Sequence, residues 1–273
     1  ASISAPWRVC RAHSEAPAVV SALLSGALLN CAFLGILRAH AVLSAAGLER
    51  FSGDLLVLFG LLSMGLAAVF LIGQGDYKRM LAYSSVEHMG ILALGTGLGG
   101  IAGVGALLHA INHSMAKGML FLAAGNLLAT HGTKSVTAIR GALRKTPATG
   151  CLWAAGFLAI TGAPPFGIFV SELTILKGMV ADQRWGIAVA YLLALGVIPV
   201  AMARIVLPMA FGAPEATAGA APAHPTTAAG SREPVWAVAP AAALGAAVLI
   251  LGVYVPAPLW DFLQSASRAG GMP

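Results

Sequence analysis

Residues 107–126 read LLHAINHSMAKGMLFLAAGN and place two histidines and a lysine inside an otherwise apolar stretch. The spacing of four residues stacks His109, His113 and Lys117 along one face of a helix, over about 12 Å at 1.5 Å per residue. Ionisable groups at membrane depth are costly and usually mark a path for ions or protons. We therefore predict that these three residues form a buried ladder of proton carriers, called the ladder below.

The composition of the whole chain is that of an integral membrane protein. Its 273 residues are 58% hydrophobic and 10% charged, with a mean hydropathy of +0.85. A helix needs about 20 mostly apolar residues to cross the hydrocarbon core of a bilayer. We therefore predict an all-α, polytopic membrane protein of about seven transmembrane helices, with a broken fifth helix. The predicted spans are residues 17–37, 54–74, 80–98, 101–128, 148–177, 185–211 and 235–255.

The formal charge of +6 predicts an orientation in the membrane and not a nucleic-acid surface, because the basic residues lie in short segments between the predicted spans. One side carries Arg8, Arg11, Lys78, Arg79, Lys134, Arg140, Arg144, Lys145 and Arg232. The other side carries Arg38, Arg50, Lys177, Arg184 and Arg268. Since cytoplasmic loops are rich in Lys and Arg, we predict a multi-pass protein of a bacterial or archaeal plasma membrane, with a cytoplasmic N-terminus and the C-terminus outside.

The cysteines predict neither a disulfide framework nor a metal cluster. Cys10, Cys31 and Cys151 are isolated from one another, and none belongs to a C-x-x-C motif. We therefore expect no cofactor and no redox chemistry in this chain. The first residue is Ala1 and not Met, and no signal peptide follows it, so we expect processing or, in preference, a truncation upstream.

The third predicted span carries an acid and a base side by side. Glu87 and His88 lie near its middle, in the run SSVEHMG. Two adjacent residues on a helix point about 100° apart. We therefore expect Glu87 to face the fourth span and offset the charge of Lys117, with His88 directed towards a different helix or a water path. The structural alternative is a carboxylate satisfied by Ser84 or by the lysine.

The fifth predicted span, which contains TGAPPFGIFVSELTILK over 161–177, cannot be a regular helix, because proline lacks the amide donor and clashes with the preceding turn. The break is predicted at Gly162, Pro164, Pro165 and Gly167. Broken helices at membrane depth line cavities or are buried in protein. Glu172 follows the break by less than two turns, and we expect it to share a polar layer with Lys117.

Other kinds of site fit the sequence poorly. His109 and His113 have the spacing of a zinc-binding helix, but the glutamate of H-E-x-x-H is missing between them and a third ligand is not evident. The pair Gly99–Gly100 lacks the strand-to-helix context of a dinucleotide loop, and no Ser/His/Asp set is recognisable as a hydrolytic triad. We therefore expect no catalytic, cofactor-binding or metal-binding residue.

Three segments together resemble the antiporter-like membrane subunits shared by respiratory complex I, Mrp cation/proton antiporters and membrane-bound hydrogenases. They are DYKRMLAYSSVEHMGILALG (76–95), LLHAINHSMAKGMLFLAAGNLL (107–128) and TGAPPFGIFVSELTILKG (161–178). The Glu-His pair and the run PPFGIFVSE are most similar to the hydrogenase-4/formate hydrogenlyase branch, component F in particular. The resemblance covers about residues 12–211.

This resemblance implies a chain that corresponds to the last helix of a first repeat and to all of a second, inverted repeat of five helices. It implies that Lys117 is the family's central lysine, that His109 and His113 are its companion histidines, and that Glu172 faces the outer exit. Ser25 stands where complex I relatives often carry a histidine or lysine in the first of these spans.

The domain organisation predicted on this basis has four parts. Residues 12–211 are predicted to form an antiporter-like transmembrane domain of six spans. They are preceded by an atypical segment 1–11, because WRVCRAH stands where the family usually has Trp-Leu-Pro-Asp-Ala-His, and the resemblance implies that this segment is a truncation or frame-shift scar. Residues 212–234 are rich in Ala, Pro, Gly and Thr and are predicted to be a flexible cytoplasmic linker. Residues 235–273 are predicted to form the final transmembrane helix and a tail.

The leading functional hypothesis is a subunit, or a fragment of one, that moves protons or sodium ions through a buried Lys/His/Glu path in a multisubunit redox complex. Its partners would be other membrane subunits of a hydrogenase or complex I-like assembly, the bilayer and the ions, and not nucleic acid. Two alternatives stay open: an Mrp-type cation/proton antiporter subunit, and a non-conducting membrane scaffold for hydrogenase subunits.

Overall fold

The computed structural model describes residues 14–213 and 233–272, and this part of the chain is helical without any β-strand. The first five helices are α1 Ala18–Ala45, α2 Glu49–Leu71, α3 Tyr77–Leu98, α4 Gly100–His131 and α5 Ala142–Lys145. The other five are α6 Pro147–Ile160, α7 Gly167–Ala181, α8 Trp185–Phe211, α9 Val235–Val253 and α10 Ala257–Ala269. The atypical segment 1–11 and most of the predicted linker 212–234 lie outside the described residues, so the predicted domain boundaries there stay predictions.

Four of the helices, α1, α2, α8 and α9, are long and apolar enough to cross a membrane, with mean hydropathies of 2.0 to 2.3 over their most apolar windows. Large apolar side chains on these helices point outward. Leu62 on α2 is 51% exposed and Leu193 on α8 is 65% exposed. A surface of this kind suits contact with lipid and not with water. The helical membrane fold is thus confirmed, whereas the number of about seven spans stays a prediction.

Helices α3 and α4 lie at the centre of the bundle. Most residues of both helices are buried, although both carry charged and polar side chains. Helix α3 packs between α2 and α4, and α4 also contacts α6, α7 and α9. The more apolar helices therefore separate the polar residues of α3 and α4 from the surrounding lipid.

Two pairs of glycines bring α2 and α3 close together. A Cβ atom added to Gly53 would lie 2.7 Å from the carbonyl oxygen of Gly97, and one added to Gly60 would lie 2.7 Å from that of Gly90. These distances are too short for any side chain beyond hydrogen. Small residues at helix contacts allow such close approach in membranes, and here they hold the polar helix α3 tightly against the apolar helix α2.

Helix α1 contains one turn of π-helix at Leu24–Leu28. The hydroxyls of Ser25 and Ser85 lie 2.8 Å apart and connect this turn to α3. Further along α1, Asn30 donates from Nδ2 to the hydroxyl of Ser114 on α4 at 2.7 Å. One helix thereby contacts both central helices through polar groups.

The predicted fifth span is two helices in the structure. Helix α6 ends at Ile160 and α7 begins at Gly167, with turns between them. Gly162 has φ +66°, a left-handed conformation that glycine adopts without steric cost. The interruption therefore lies in the segment that contains the glycines and the two prolines.

Candidate functional site

All three ladder residues lie inside the bundle. His109, His113 and Lys117 project from α4 and have no exposed surface. The other predicted carriers are also buried: Glu87 and His88 on α3 are 4% and 1% exposed, and Glu172 on α7 is 7% exposed. The structure therefore collects the six predicted carriers from three helices in the interior.

Lys117 is held by α3. Its Nζ donates to the backbone carbonyl of Leu81 at 2.7 Å and to the hydroxyl of Ser84. Among residues 14–213 and 233–272 no carboxylate lies within 4 Å of this ammonium, so Glu87 is not its contact partner. Glu87 interacts with Lys117 only electrostatically, at longer range. The two side chains form no ion pair in the described part of the chain, and the expectation that Glu87 offsets the lysine's charge stays a prediction.

His88 lies where we expected a different orientation. Its ring packs against the rings of His109 and His113, with centroids 5.0 Å and 4.9 Å away. The expectation that His88 points to a helix other than the fourth span was therefore wrong, while its alternative, a water path, stays a prediction. The physical reason is the close packing of α3 against α4, which places the imidazole of His88 against His109 and His113.

The hydrogen bonds around His109 fit the tautomer that carries its proton on Nδ1. The Ser171 hydroxyl donates to the carbonyl of Ile168 at 2.8 Å, so it accepts at 2.9 Å from Nδ1–H of His109. Nε2 of His109 then has a free lone pair and accepts from Nδ1–H of His88, also at 2.9 Å. This chain of bonds runs through three helices, from α3 through α4 to α7.

Glu172 lies close to these two histidines. One oxygen of its carboxylate, Nδ1 or Nε2 of His88 and one ring nitrogen of His109 all lie within 4.8 Å of one another. The carboxylate rests on the backbone of Gly162, where a Cβ atom would overlap with Oε2. The helix break thus provides the space that the carboxylate occupies. His88 and Glu172 also lie beside His109 as potential metal ligands that the sequence did not reveal.

The other break residues support this arrangement through the backbone. Asn112 donates from Nδ2 to the carbonyl of Gly167 at 3.0 Å and so ties α4 to the start of α7. The backbone at Pro165 packs directly on Gly252 of α9. Pro164 and Pro165 contribute no ionisable group, and their part is to end the regular helix.

Sequence reasoning missed three polar residues of this site, which are Asn112, Ser171 and Tyr191. Ser84 was named as a possible partner of Glu87, but it accepts from Lys117 instead. The phenol of Tyr191 is buried without a hydrogen-bond partner in the described part of the chain, and it interacts electrostatically with Glu172 and Glu87. Serine hydroxyls in apolar helices commonly bond to a carbonyl of their own helix. A serine in the sequence therefore does not indicate a contact with another helix. The one sequence signal for Tyr191 was that it is the only polar residue in its apolar stretch of α8.

The arrangement can move protons. Neutral imidazole accepts a proton at one nitrogen and releases one from the other, and histidine titrates nearest to neutral pH among side chains. The site combines such rings with a buried ammonium and two buried carboxylates, of which His88, His109 and His113 are in ring contact. Both nitrogens of His113 lack a partner in the described residues, which leaves them available between Lys117 and His88.

Comparisons with known proteins agree with this fold and these motifs. The family model described as "NADH:quinone oxidoreductase/Mrp antiporter, TM" matches residues 7–198. The hydrogenase-4 component F homolog of Methylacidiphilum infernorum is 38% identical over 206 residues, which are 74% of this chain and 43% of that protein. Hydrogenase-4 component B of Escherichia coli is 34% identical over 175 residues, or 59% of this chain and 26% of that protein. The chain thus spans less than half the length of these relatives.

Two solved structures share the fold. A chain of the membrane-bound sulfane sulfur reductase, an archaeal respiratory membrane complex, superposes with a TM-score of 0.82 at 23% identity, covering 96% of this chain and 51% of that one. A chain of the Mrp complex from Dietzia has a TM-score of 0.78 at 21% identity, covering 97% and 54%. The family match over most of the sequence confirms the resemblance: the chain belongs to the NADH:quinone oxidoreductase/Mrp antiporter transmembrane family.

Proposed function

We propose that this chain is a proton- or sodium-translocating membrane subunit, or part of one, of a multisubunit redox complex of the hydrogenase-4/complex I type. The observation that carries the proposal is the chain of buried hydrogen bonds from His88 through His109 to Ser171. Burying four basic and two acidic side chains costs free energy, and ionisable groups within membrane segments usually mark a path for ions or protons.

The path we propose begins at Lys117 and ends at Glu172. From Lys117 a proton passes to His113, then through His88 to His109, and reaches Glu172 beside the helix break. The rings are in contact, and water molecules can bridge the step between the ammonium and His113, since bridging waters bond nearly as well as direct partners. Movement of the Glu87 charge, which acts on Lys117 through space, would switch the lysine between holding and releasing its proton.

The topology we propose has about seven spans, with α6 and α7 together forming one broken span. The N-terminus lies in the cytoplasm and the C-terminus outside, so that Glu172 faces the outer exit. The excess of Lys and Arg on one side supports this orientation. Protease protection of tags at the two ends in sealed vesicles tests it, because only one tag should be cleaved from each side.

Lys117→Ala is the direct test of translocation. Removing the central ammonium should abolish ion movement while the protein still assembles, since water can fill the vacated space beside the Leu81 carbonyl and the Ser84 hydroxyl. The readout is proton uptake into reconstituted vesicles under an imposed potential. The matched control is Lys134→Ala, because Lys134 is partly exposed and pairs with Glu15 at 3.0 Å. An exposed pair contributes about 0–1 kcal/mol, so this variant should transport normally.

The same vesicles separate the remaining alternatives. Uptake that requires Na⁺ on the opposite side would favour an Mrp-type cation/proton antiporter subunit, whereas Na⁺-independent uptake favours a proton path. Equal transport by the parent and Lys117→Ala would contradict the proposal and favour a non-conducting scaffold for other membrane subunits. Co-purification of hydrogenase-type subunits with the chain would test the proposed partners.

A further inference from the structure

One residue of the ladder and two of its neighbours form a cluster of potential metal ligands. Ligand atoms of His88, His109 and Glu172 lie within 4.8 Å of one another, and all three side chains are buried. They come from α3, α4 and α7, so the three helices would be joined by any ion bound between them.

The hydrogen bonds already orient one of these ligands. Ser171 fixes the proton of His109 on Nδ1, so the lone pair of Nε2 points at Nδ1 of His88. An outer hydroxyl or carbonyl that holds the far nitrogen of a ligating histidine is a regular feature of metal sites. The Ser171 hydroxyl is itself fixed by the carbonyl of Ile168.

We propose that a divalent transition-metal ion of the zinc class binds between Nδ1 of His88, Nε2 of His109 and the carboxylate of Glu172. The ion replaces the proton that the two histidines share and blocks the path. Its effect on transport depends on the proposed function, whereas its binding does not. Three protein ligands leave a fourth position for water, as in open zinc sites.

The two nitrogens need to separate only slightly, but both rings must turn, because in the hydrogen bond each nitrogen points at the other and in a tetrahedral site both point at the ion. Tetrahedral Zn–N bonds of 2.0–2.1 Å place two ligating nitrogens about 3.3 Å apart, and those of His88 and His109 are 2.9 Å apart. The proton that leaves Nδ1 of His88 moves to Nε2, and the backbone of Ile160 offers an acceptor to this side chain. Both histidines then bind as neutral imidazoles, and Glu172 supplies the one negative charge.

The ligand chemistry selects the class of ion. Imidazole nitrogen with one carboxylate suits Zn²⁺ and its neighbours in the first transition row. Na⁺, Mg²⁺ and Ca²⁺ prefer sets made of oxygen, and two of the three ligands here are nitrogens. An inhibitory zinc ion is therefore distinct from any ion that the path carries.

Cobalt titration tests the binding without measuring transport. The protein in nanodiscs is titrated with Co²⁺, which should give the strong visible absorption of a four-coordinate site at one ion per chain. His88→Gln and Glu172→Gln should lose this spectrum. Ser171→Ala keeps all three ligands and should weaken the affinity about 10- to 100-fold. The control is His40→Gln, because His40 is buried and bonded to Ser52 outside the site and should leave the spectrum unchanged.

The outcomes distinguish this inference from the proposed function. Absence of the four-coordinate spectrum in the parent, or its persistence in His88→Gln, would overturn the metal site even if Lys117→Ala abolishes transport. A spectrum lost as expected, together with inhibition of proton uptake by Zn²⁺, supports both. A spectrum lost as expected without any Zn²⁺ inhibition supports the site and contradicts the proposed path through His88 and His109.

Discussion

Gly162→Ala tests whether the helix break exists to hold the Glu172 carboxylate. Gly162 has φ +66°, a conformation that costs an alanine about 1–2 kcal/mol. Its new Cβ atom would overlap with Oε2 of Glu172 and lie 3.3 Å from Oε1. Because packed interiors cannot absorb such an overlap, the carboxylate must retreat by roughly an ångström. We expect a modest loss of stability and a large loss of transport.

Gly132→Ala is the matched control. Gly132 has the same φ of +66°, but nothing lies within 4 Å of the position of its added Cβ atom. The control therefore carries the backbone cost alone. Gly132→Ala should lose about 1–2 kcal/mol of stability in thermal unfolding, and Gly162→Ala should lose at least as much, because it adds the overlap with Glu172.

Proton uptake into vesicles then separates the two variants. Gly162→Ala should transport at least about tenfold more slowly than Gly132→Ala, since a misplacement of about 1 Å can cost a reacting group up to 10²-fold in rate. Equal rates per folded protein would refute the reasoning. The contact between the Glu172 carboxylate and Gly162 would then have no part in transport.

Two further predictions concern the packing around the site. Asn112→Ala should lower the free energy of unfolding by about 1–3 kcal/mol, because the buried carbonyl of Gly167 loses its donor at 3.0 Å. An unfolding temperature equal to the parent's would show that this bond does not stabilise the break. Gly60→Ala should destabilise the protein, since its Cβ atom would lie 2.7 Å from the carbonyl oxygen of Gly90 and push α2 from α3. Gly65→Ala, with nothing within 4 Å, should be neutral or up to about 1 kcal/mol stabilising, and similar melting of the two variants would contradict the close approach.

Features that depend on the period or chemistry of one segment were predictable from the sequence. The helical period alone places His109, His113 and Lys117 on one face. The missing amide donors of Pro164 and Pro165 require an interruption where α6 and α7 are separate helices. Apolar composition predicted the helical membrane fold, and long shared motifs predicted the family.

Features that depend on how two helices meet were not predictable. The sequence says that Glu87 and His88 point about 100° apart, but not which of them faces α4. That choice depends on the rotation of α3, which packs on α2 through glycines that the sequence did not single out. The sequence could not predict the bond of Lys117 to the carbonyl of Leu81 either, because every residue has a backbone carbonyl.

The π turn at Leu24–Leu28 changes how α1 must be aligned with other helices. In a regular α-helix two residues five apart point about 140° apart, so Ser25 and Asn30 would face different neighbours across a wide angle. The wider turn, which closes bonds between residues five apart, brings them towards one side, where Ser25 meets Ser85 and Asn30 meets Ser114. An alignment that removes one residue within this turn would therefore keep both halves facing the same neighbours, since two residues four apart in a regular helix point only about 40° apart. One that keeps every residue but assumes a regular helix would rotate one half by about 100° and lose one of its two polar contacts.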